Sequence, residues 1–261
     1  MFSVMTLNIR FGLADDGDNS WRFRKDCFPK LFQQYRPDIL GLQEVNDFQL
    51  DFLKDVLSEY EHIGRRWPAP AYWQNNIIFY KKSWRLAEAA HFFLSPTPEV
   101  YSRFEGSRWP RQCTMGVLQA GGRKLICVNS HFDFDSKVQT QSAELIMKRL
   151  SQLPAGIPTV LFGDFNAAPS DPCYQVFAGI QPNREVPGSG FKNVFHKPYP
   201  GTHHGFTGSS GGDHIDWILY RGKIVPFGGC VIPNRFEGRY PSDHFPLWVW
   251  FKWRNSVQQE R

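Results

Sequence analysis

Cysteine is scarce in this 261-residue chain: Cys27, Cys113, Cys127, Cys173 and Cys230 are widely spaced, odd in number and free of any CxxC pair. That spacing excludes a structural zinc ribbon and a thioredoxin-type motif, and five reduced thiols are expected instead of a disulfide framework. Long apolar runs are also missing. No stretch approaches ~18 uninterrupted apolar residues, so no membrane anchor is expected. The opening "FSVMTLNIR" has no basic segment leading into an apolar run and a small-residue cleavage site. A cytoplasmic location is the resulting expectation. Internal repeats, low-complexity tracts and long blocks of like charge are absent, and nothing mid-chain reads as a linker. One domain over 1–254 is therefore expected, with a short polar tail over 255–261. Nothing points to a protein partner, and a monomer is expected. The excess of positive charge is small, 30 Lys and Arg against 25 Asp and Glu. A net +5 suits an anionic partner without demanding one.

What is present is a series of short β-patterned runs: "FSVMTLNI", "DILGLQEV", "NNIIFY", "CTMGVLQA", "KLICVNSHF", "TVLFGDF", "HIDWILY" and "FPLWVWF". Helical spacing lies between some of them. Phe28, Leu31, Phe32 and Tyr35 predict a helix over 21–35, Leu53, Val56, Leu57 and Tyr60 one over 47–60, and Leu145, Ile146, Leu150 and Leu153 a third over about 139–153. Strands interrupted by helices predict an α/β layered fold. The long polar loops fall at "RRWPAPAYWQ", "SRFEGSRWPRQ", "GTHHGFTGSSGGD" and "RFEGRYPSD". In the first two, basic and aromatic residues alternate, as in a groove that tracks phosphates and stacks bases, or equally as in solvated loops anchored by tryptophan.

The strand ends carry the chemistry. Asn8 closes "VMTLN", Glu44 closes "ILGLQE", His131 closes "ICVNSH", Asp164 and Asn166 close "LFGDFN", and Asp243 and His244 open the last strand. Singly, each has an ordinary reading. "GDFN" serves as a strand-ending turn, Glu44 as a residue capping the helix near Asn46, and His203 and His204 as ordinary loop residues. Gathered at one sheet edge, they suit a hard cation such as Mg²⁺, for which Glu44, Asn8 and Asp243 supply oxygens. Beside it, Asp164 suits the deprotonation of a water, and Asn166, His131 and His244 suit the bonding of a phosphate. Asp216, at the start of a strand, is placed to orient a histidine.

In this order, "TLNIR", "LQEV", "NSHFD", "GDFNAAP", "HIDWIL" and "SDHFP" resemble the endonuclease/exonuclease/phosphatase superfamily, the DNase I-like hydrolases, over nearly the whole chain. The resemblance implies a four-layered α/β/β/α sandwich of two mixed sheets with outer helices. It implies a site using Mg²⁺ or Mn²⁺ through Asn8 and Glu44, with Asp243 a further metal contact. Asp164 resembles the residue that activates water and Asn166 its phosphate-binding neighbour. His244 resembles the essential histidine with Asp216 as its partner, His131 the second phosphate-facing histidine, and Arg111 a phosphate-facing arginine. The "HIDW" stretch is unlike the "WCDR" of inositol-polyphosphate phosphatases, and no exposed apolar hairpin of a secreted sphingomyelinase is evident. A nuclease acting on DNA or RNA is the expectation. A phosphatase or phosphodiesterase acting on a small or lipid-linked ester is the alternative, and a non-catalytic nucleic-acid-binding scaffold ranks third.

Overall fold

The structure is a computed structural model, and it describes residues 1–67, 69–181, 184–185 and 190–254; the tail 255–261 lies outside the described residues. Six strands form one mixed sheet: β1 (Phe2–Asn8), β2 (Ile39–Val45), β3 (Tyr60–Ile63), β4 (Asn75–Lys81), β13 (Ile224–Val231) and β14 (Leu247–Trp253), in the order β13-β14-β1-β2-β4-β3. The second contains β5 (Arg85–Phe93), β6 (Gln112–Ala120), β7 (Arg123–His131), β8 (Thr159–Asp164), β11 (Lys192–Asn193) and β12 (Asp216–Arg221), in the order β11-β12-β8-β7-β6-β5. Two-residue strands β9 (Ile180–Gln181) and β10 (Arg184–Glu185) pair separately. The helices are α1 (Trp21–Arg24), α2 (Cys27–Tyr35), α3 (Asp47–Val56), α4 (Ser136–Ser151) and α5 (Pro172–Ala178).

Central strands are buried on both faces, which is why they read as unbroken apolar runs. Val4, Ile39, Cys127, Phe162, Ile218 and Val249 fill the seam between the sheets. On the outer faces, Phe28, Leu31, Leu50 and Leu53 of α2 and α3 cover Met5, Leu7 and Leu42, while Ile146, Leu150 and Phe177 of α4 and α5 cover Val128, Leu161 and Trp217. The four layers are thus helix, sheet, sheet, helix. No helix among the described residues is long and apolar enough to cross a membrane. All five cysteines are free, and only Cys230 is exposed.

Three local expectations are corrected. The helix over 21–35 is two helices, because Pro29 has no N–H for the carbonyl of Lys25 and its ring crowds that oxygen. The helix over 47–60 ends at Val56, and Tyr60 instead opens β3, its hydroxyl donating to Pro37 O at 2.6 Å. The final strand starts at Leu247, so Asp243 and His244 sit on the turn before it.

A polar staple crosses the apolar seam next to the site. Asn129 on β7 donates to Leu42 O (2.9 Å) and Ile77 O (2.8 Å) of the other sheet and accepts from Gln43 Nε2 (2.7 Å). Asn129→Ala removes both donations to those carbonyls and leaves Gln43 Nε2 with Thr6 Oγ1 alone, and denaturant unfolding should show a loss of about 2–4 kcal/mol. Gly163 acts similarly by close approach. Its φ of 147° lies within a strand, not at a sharp turn, and a Cβ there would sit 2.0 Å from Ser130 O.

Candidate active site

Strand direction gathers the polar ends at one edge of the sandwich. Parallel β1 and β2 deliver Asn8 and Glu44, and parallel β7 and β8 deliver His131 and Asp164 in register. Antiparallel β12 starts at that same edge, with Asp216 opposite Asp164. Three residues there adopt left-handed backbone: Arg10 at φ 61°, Glu44 at φ 63° in an irregularity of β2, and Asn166 at φ 47°. Side chains in that region are costly, so they persist where their surroundings fix them. Glu44 Oε2 accepts from Phe11 N (2.6 Å), and Asp164 Oδ1 accepts from Asn166 N (3.0 Å). Helix α3 is capped without Glu44: its first residues are held by Asn46, whose N–H donates to Gln49 Oε1 at 3.0 Å.

One chain of contacts joins the candidate residues. Asn8 Nδ2 donates to Glu44 Oε1 (3.0 Å) and Asp164 Oδ2 (2.9 Å). That same Asp164 oxygen lies 3.4 Å from His131 Nε2 and 3.8 Å from His244 Nε2. His131 Nε2 is 3.1 Å from Asn166 Nδ2, and its Nδ1 is 3.1 Å from Arg111 Nη1. His244 Nδ1 is 2.8 Å from Asp216 Oδ2. Asp243 joins from the turn 241–244, where Ser242 Oγ donates to Asn8 O at 2.6 Å and ties that turn to β1.

The two histidines are held in opposite protonation states. Burial, then Arg111 and His244, push His131 well below the ordinary imidazole range. Both close neighbours of the ring nitrogens, Arg111 Nη1 at Nδ1 and Asn166 Nδ2 at Nε2, are donors, and a neutral ring accepts from only one of them. Burial opposes charge on His244 as well, but Asp216, Asp164 and Asp243 outweigh it and raise its pKa. Burial and the neighbouring Asp216 raise Asp164 above the usual carboxylate range, against the pull of His244 and Asn8.

Several residues that sequence reasoning left aside also belong here. Arg10 makes a bidentate pair with Asp16 (2.9 and 2.7 Å) and reaches within 3.6 Å of Asp243. His203 approaches Asp243 at 3.9 Å and its ring lies 4.8 Å from that of His244, whereas His204 is buried against Phe245. Arg24 is buried and donates only to carbonyls, those of Ile9, Arg10, Asn19 and Pro241. It thereby locks together the two segments that follow Asn8 and precede Asp243. The pair of histidines in a glycine-rich loop was the one visible signal for His203.

Oxygen donors dominate the set, as suits a hard divalent cation: Asp164, Asp216 and Asp243 gather around His244, and Glu44 is joined to Asp164 through the Asn8 amide. Asp216 Oδ1 is buried without a hydrogen-bond partner, an orphan that a cation nearby would satisfy. Two groups of ligand atoms lie close enough to share an ion, His203–Asp243–His244 and Asp164–Asp216–His244. The residues present therefore fit a metal. Asn8 differs from its expected part: it turns its amide nitrogen to the carboxylates, and its oxygen accepts from Arg10 N at 2.9 Å. It bridges Glu44 and Asp164 here, and would serve as a ligand with its amide turned over.

A cleft of about 900 Å³ opens beside the centre, reaching it at Glu44, His131 and Arg111. Arg10, Arg103, Arg108 and Arg111 line it against the single acid Glu44, and Tyr72, Tyr101, Trp109 and Phe134 are its exposed aromatics.

Fold and site together define a hydrolase of phosphoric esters. The chain belongs to the Endonuclease/Exonuclease/phosphatase family, whose sequence profile matches residues 5–244. That membership makes it a phosphoester hydrolase of a family that depends on divalent metal. It is 25% identical to Nocturnin of Drosophila melanogaster over 87% of this chain but 41% of that protein, so it spans under half the length of this relative. Among solved structures it is similar to a mannosyl-6-phosphatase of Bacteroides thetaiotaomicron, with 25% identity and a TM-score of 0.86, covering 97% of this chain and 100% of that one. It shares its fold with D. rerio TDP2 complexed with single-strand DNA product, at 18% identity and a TM-score of 0.75 over 96% and 98% of the two chains.

Proposed function

We propose that the protein is a Mg²⁺-dependent phosphodiesterase, with Mn²⁺ as a substitute, that cleaves strands of DNA or RNA. The observation that carries this reading is the arginine-lined, aromatic cleft running directly into His131 and Arg111. Arginines match phosphate oxygens and exposed rings match bases, the combination that binds unpaired strands.

Glu44 and Asp243 would hold the cation, with Asn8 completing the set, while Asp216 holds His244. Bound there, it supplies positive charge that polarises the phosphate and favours ionisation of water. Asp164 takes a proton from the attacking water, a task suited to a carboxylate whose affinity for protons burial has raised. The hydroxyl oxygen bonds to phosphorus as the bond to the leaving oxygen breaks. His244 as imidazolium, the Asn166 amide and Arg111 direct donors at the phosphate oxygens where charge accumulates, and His131, set between Arg111 and Asn166, faces the same phosphate.

The similarity to a mannosyl-6-phosphatase over nearly the full chain favours a second reading, a small sugar phosphate as substrate. Salt separates the two. For a strand that engages two to four arginines, log kcat/KM should fall against log salt with a slope of about −1.5 to −3. A small ester should change by about twofold or less over the same range. A flat response with the strand, together with efficient turnover of a sugar phosphate, would favour the second reading.

A further inference from the structure

The loop 101–111 supplies Tyr101, Arg103, Arg108, Trp109 and Arg111 to the cleft. What fixes its tip is one carboxylate. Asp133 lies two residues beyond His131 on the same strand exit and is 2% exposed. Its Oδ2 accepts from Ser107 Oγ (3.0 Å), Arg108 N (2.8 Å) and Trp109 N (3.2 Å), and its Oδ1 accepts from Phe134 N (2.8 Å). Among the described residues no cation forms an ion pair with it. Burial opposes its charge, yet the N–H groups of Trp109 and Phe134, the Ser107 hydroxyl and Arg111 hold it below the usual carboxylate range. Donors face both oxygens, so a carboxamide fits in neither orientation: its nitrogen would meet an N–H either way. This is a site built for a carboxylate. Trp109, held by its backbone, leaves its ring half exposed on the cleft wall, which Tyr72 also lines.

We propose that Asp133 is a positioning residue for substrate selection: it holds loop 101–111 so that Trp109 and Arg108 grip one unpaired nucleotide next to the scissile phosphate. The inference rests on the strand-cleaving reading above. Stacking on an aromatic side chain requires a base out of the duplex stack, so single strands or frayed ends are the substrate class it selects. Because His131 and Asp133 leave the same strand, the recognition loop is registered to the centre by two residues of chain.

The test compares Asp133→Asn, Trp109→Ala and the double variant on an end-labelled single-stranded oligonucleotide, and on the same strand with an abasic residue beside the cleavage site. Asp133→Asn should raise KM about tenfold or more while kcat stays within about threefold. The double variant should fall short of the product of the two single effects, since Asp133 acts in part through Trp109. Wild type should prefer the intact strand, and Asp133→Asn should lose that preference. A fall in kcat at unchanged KM, or additive effects of the two substitutions, would overturn the proposal. Should Asp133→Asn fail to fold, Ser107→Ala removes the hydroxyl that lies 3.0 Å from Asp133 Oδ2 and 2.6 Å from Trp109 O; a wild-type KM in a folded Ser107→Ala protein also overturns it. If wild type turns over a sugar phosphate and no strand, the functional reading fails. The same variants are then measured on that ester, and an unchanged KM overturns the clamp.

Discussion

Asp164→Asn lowers kcat by about 10³-fold and leaves the protein folded, with a thermal melt as cooperative as that of wild type. The side chain is 1% exposed and sits where Asn8, Asn166, His131 and His244 converge. Its carboxyl group resists ionisation because burial and Asp216 both disfavour the charge. Two effects on stability oppose each other: a buried charge that the fold tolerates at a cost is replaced by a neutral group of the same shape, but the new amide nitrogen meets a donor, Asn166 N or Asn8 Nδ2, in either orientation. Turnover suffers, because an amide cannot take a proton from water. Single-turnover rates paired with a thermal melt separate rate from stability. A variant with near wild-type rate would remove Asp164 from the mechanism, and a variant that lost both rate and stability would recast it as structural.

His244→Ala should cost about 10³-fold in kcat, and Asp216→Asn less, about 10²-fold. The alanine removes the donor outright. The asparagine keeps the ring in place and removes the charge 2.8 Å from Nδ1 that favours imidazolium, so a fraction of the donor's strength survives. The order is the informative part. If Asp216→Asn proved the more damaging, Asp216 would belong with the metal-holding carboxylates through its unpartnered Oδ1, and its contact with His244 would be secondary. Rates across a Mg²⁺ titration distinguish the cases, because loss of a metal-holding group shifts the half-saturating concentration and loss of a phosphate donor does not.

The sequence could be read only where side chains report burial on both faces. The eight runs recognisable as strands are the eight interior strands of the two sheets, β1, β2, β4, β14, β6, β7, β8 and β12. The strands that escaped notice at the four sheet edges are β3, β5, β11 and β13. An edge strand such as β5, "RLAEAAHFF", is mostly exposed, so its pattern carries no apolar alternation, and its place comes from pairing with β6. Helix boundaries failed where one residue overrode the period, as Pro29 did.

The site divides along the same line. Asn8, Glu44, His131 and Asp164 could be found because each ends an apolar run, and strand direction alone then brings them together. Asp133, Arg10 and His203 could not, because their partners lie on loops whose course no periodicity describes. Asp133 stood in plain view inside "NSHFD", but its three donors come from residues 107–109, and only the fold brings those to it.

Cleavage of an end-labelled single-stranded oligonucleotide in Mg²⁺, in EDTA, and in Mg²⁺ with Asp164→Asn tests the account most directly. Products in the first condition and in neither of the others are the predicted result. Cleavage that persists in EDTA, or that Asp164→Asn matches, would contradict it.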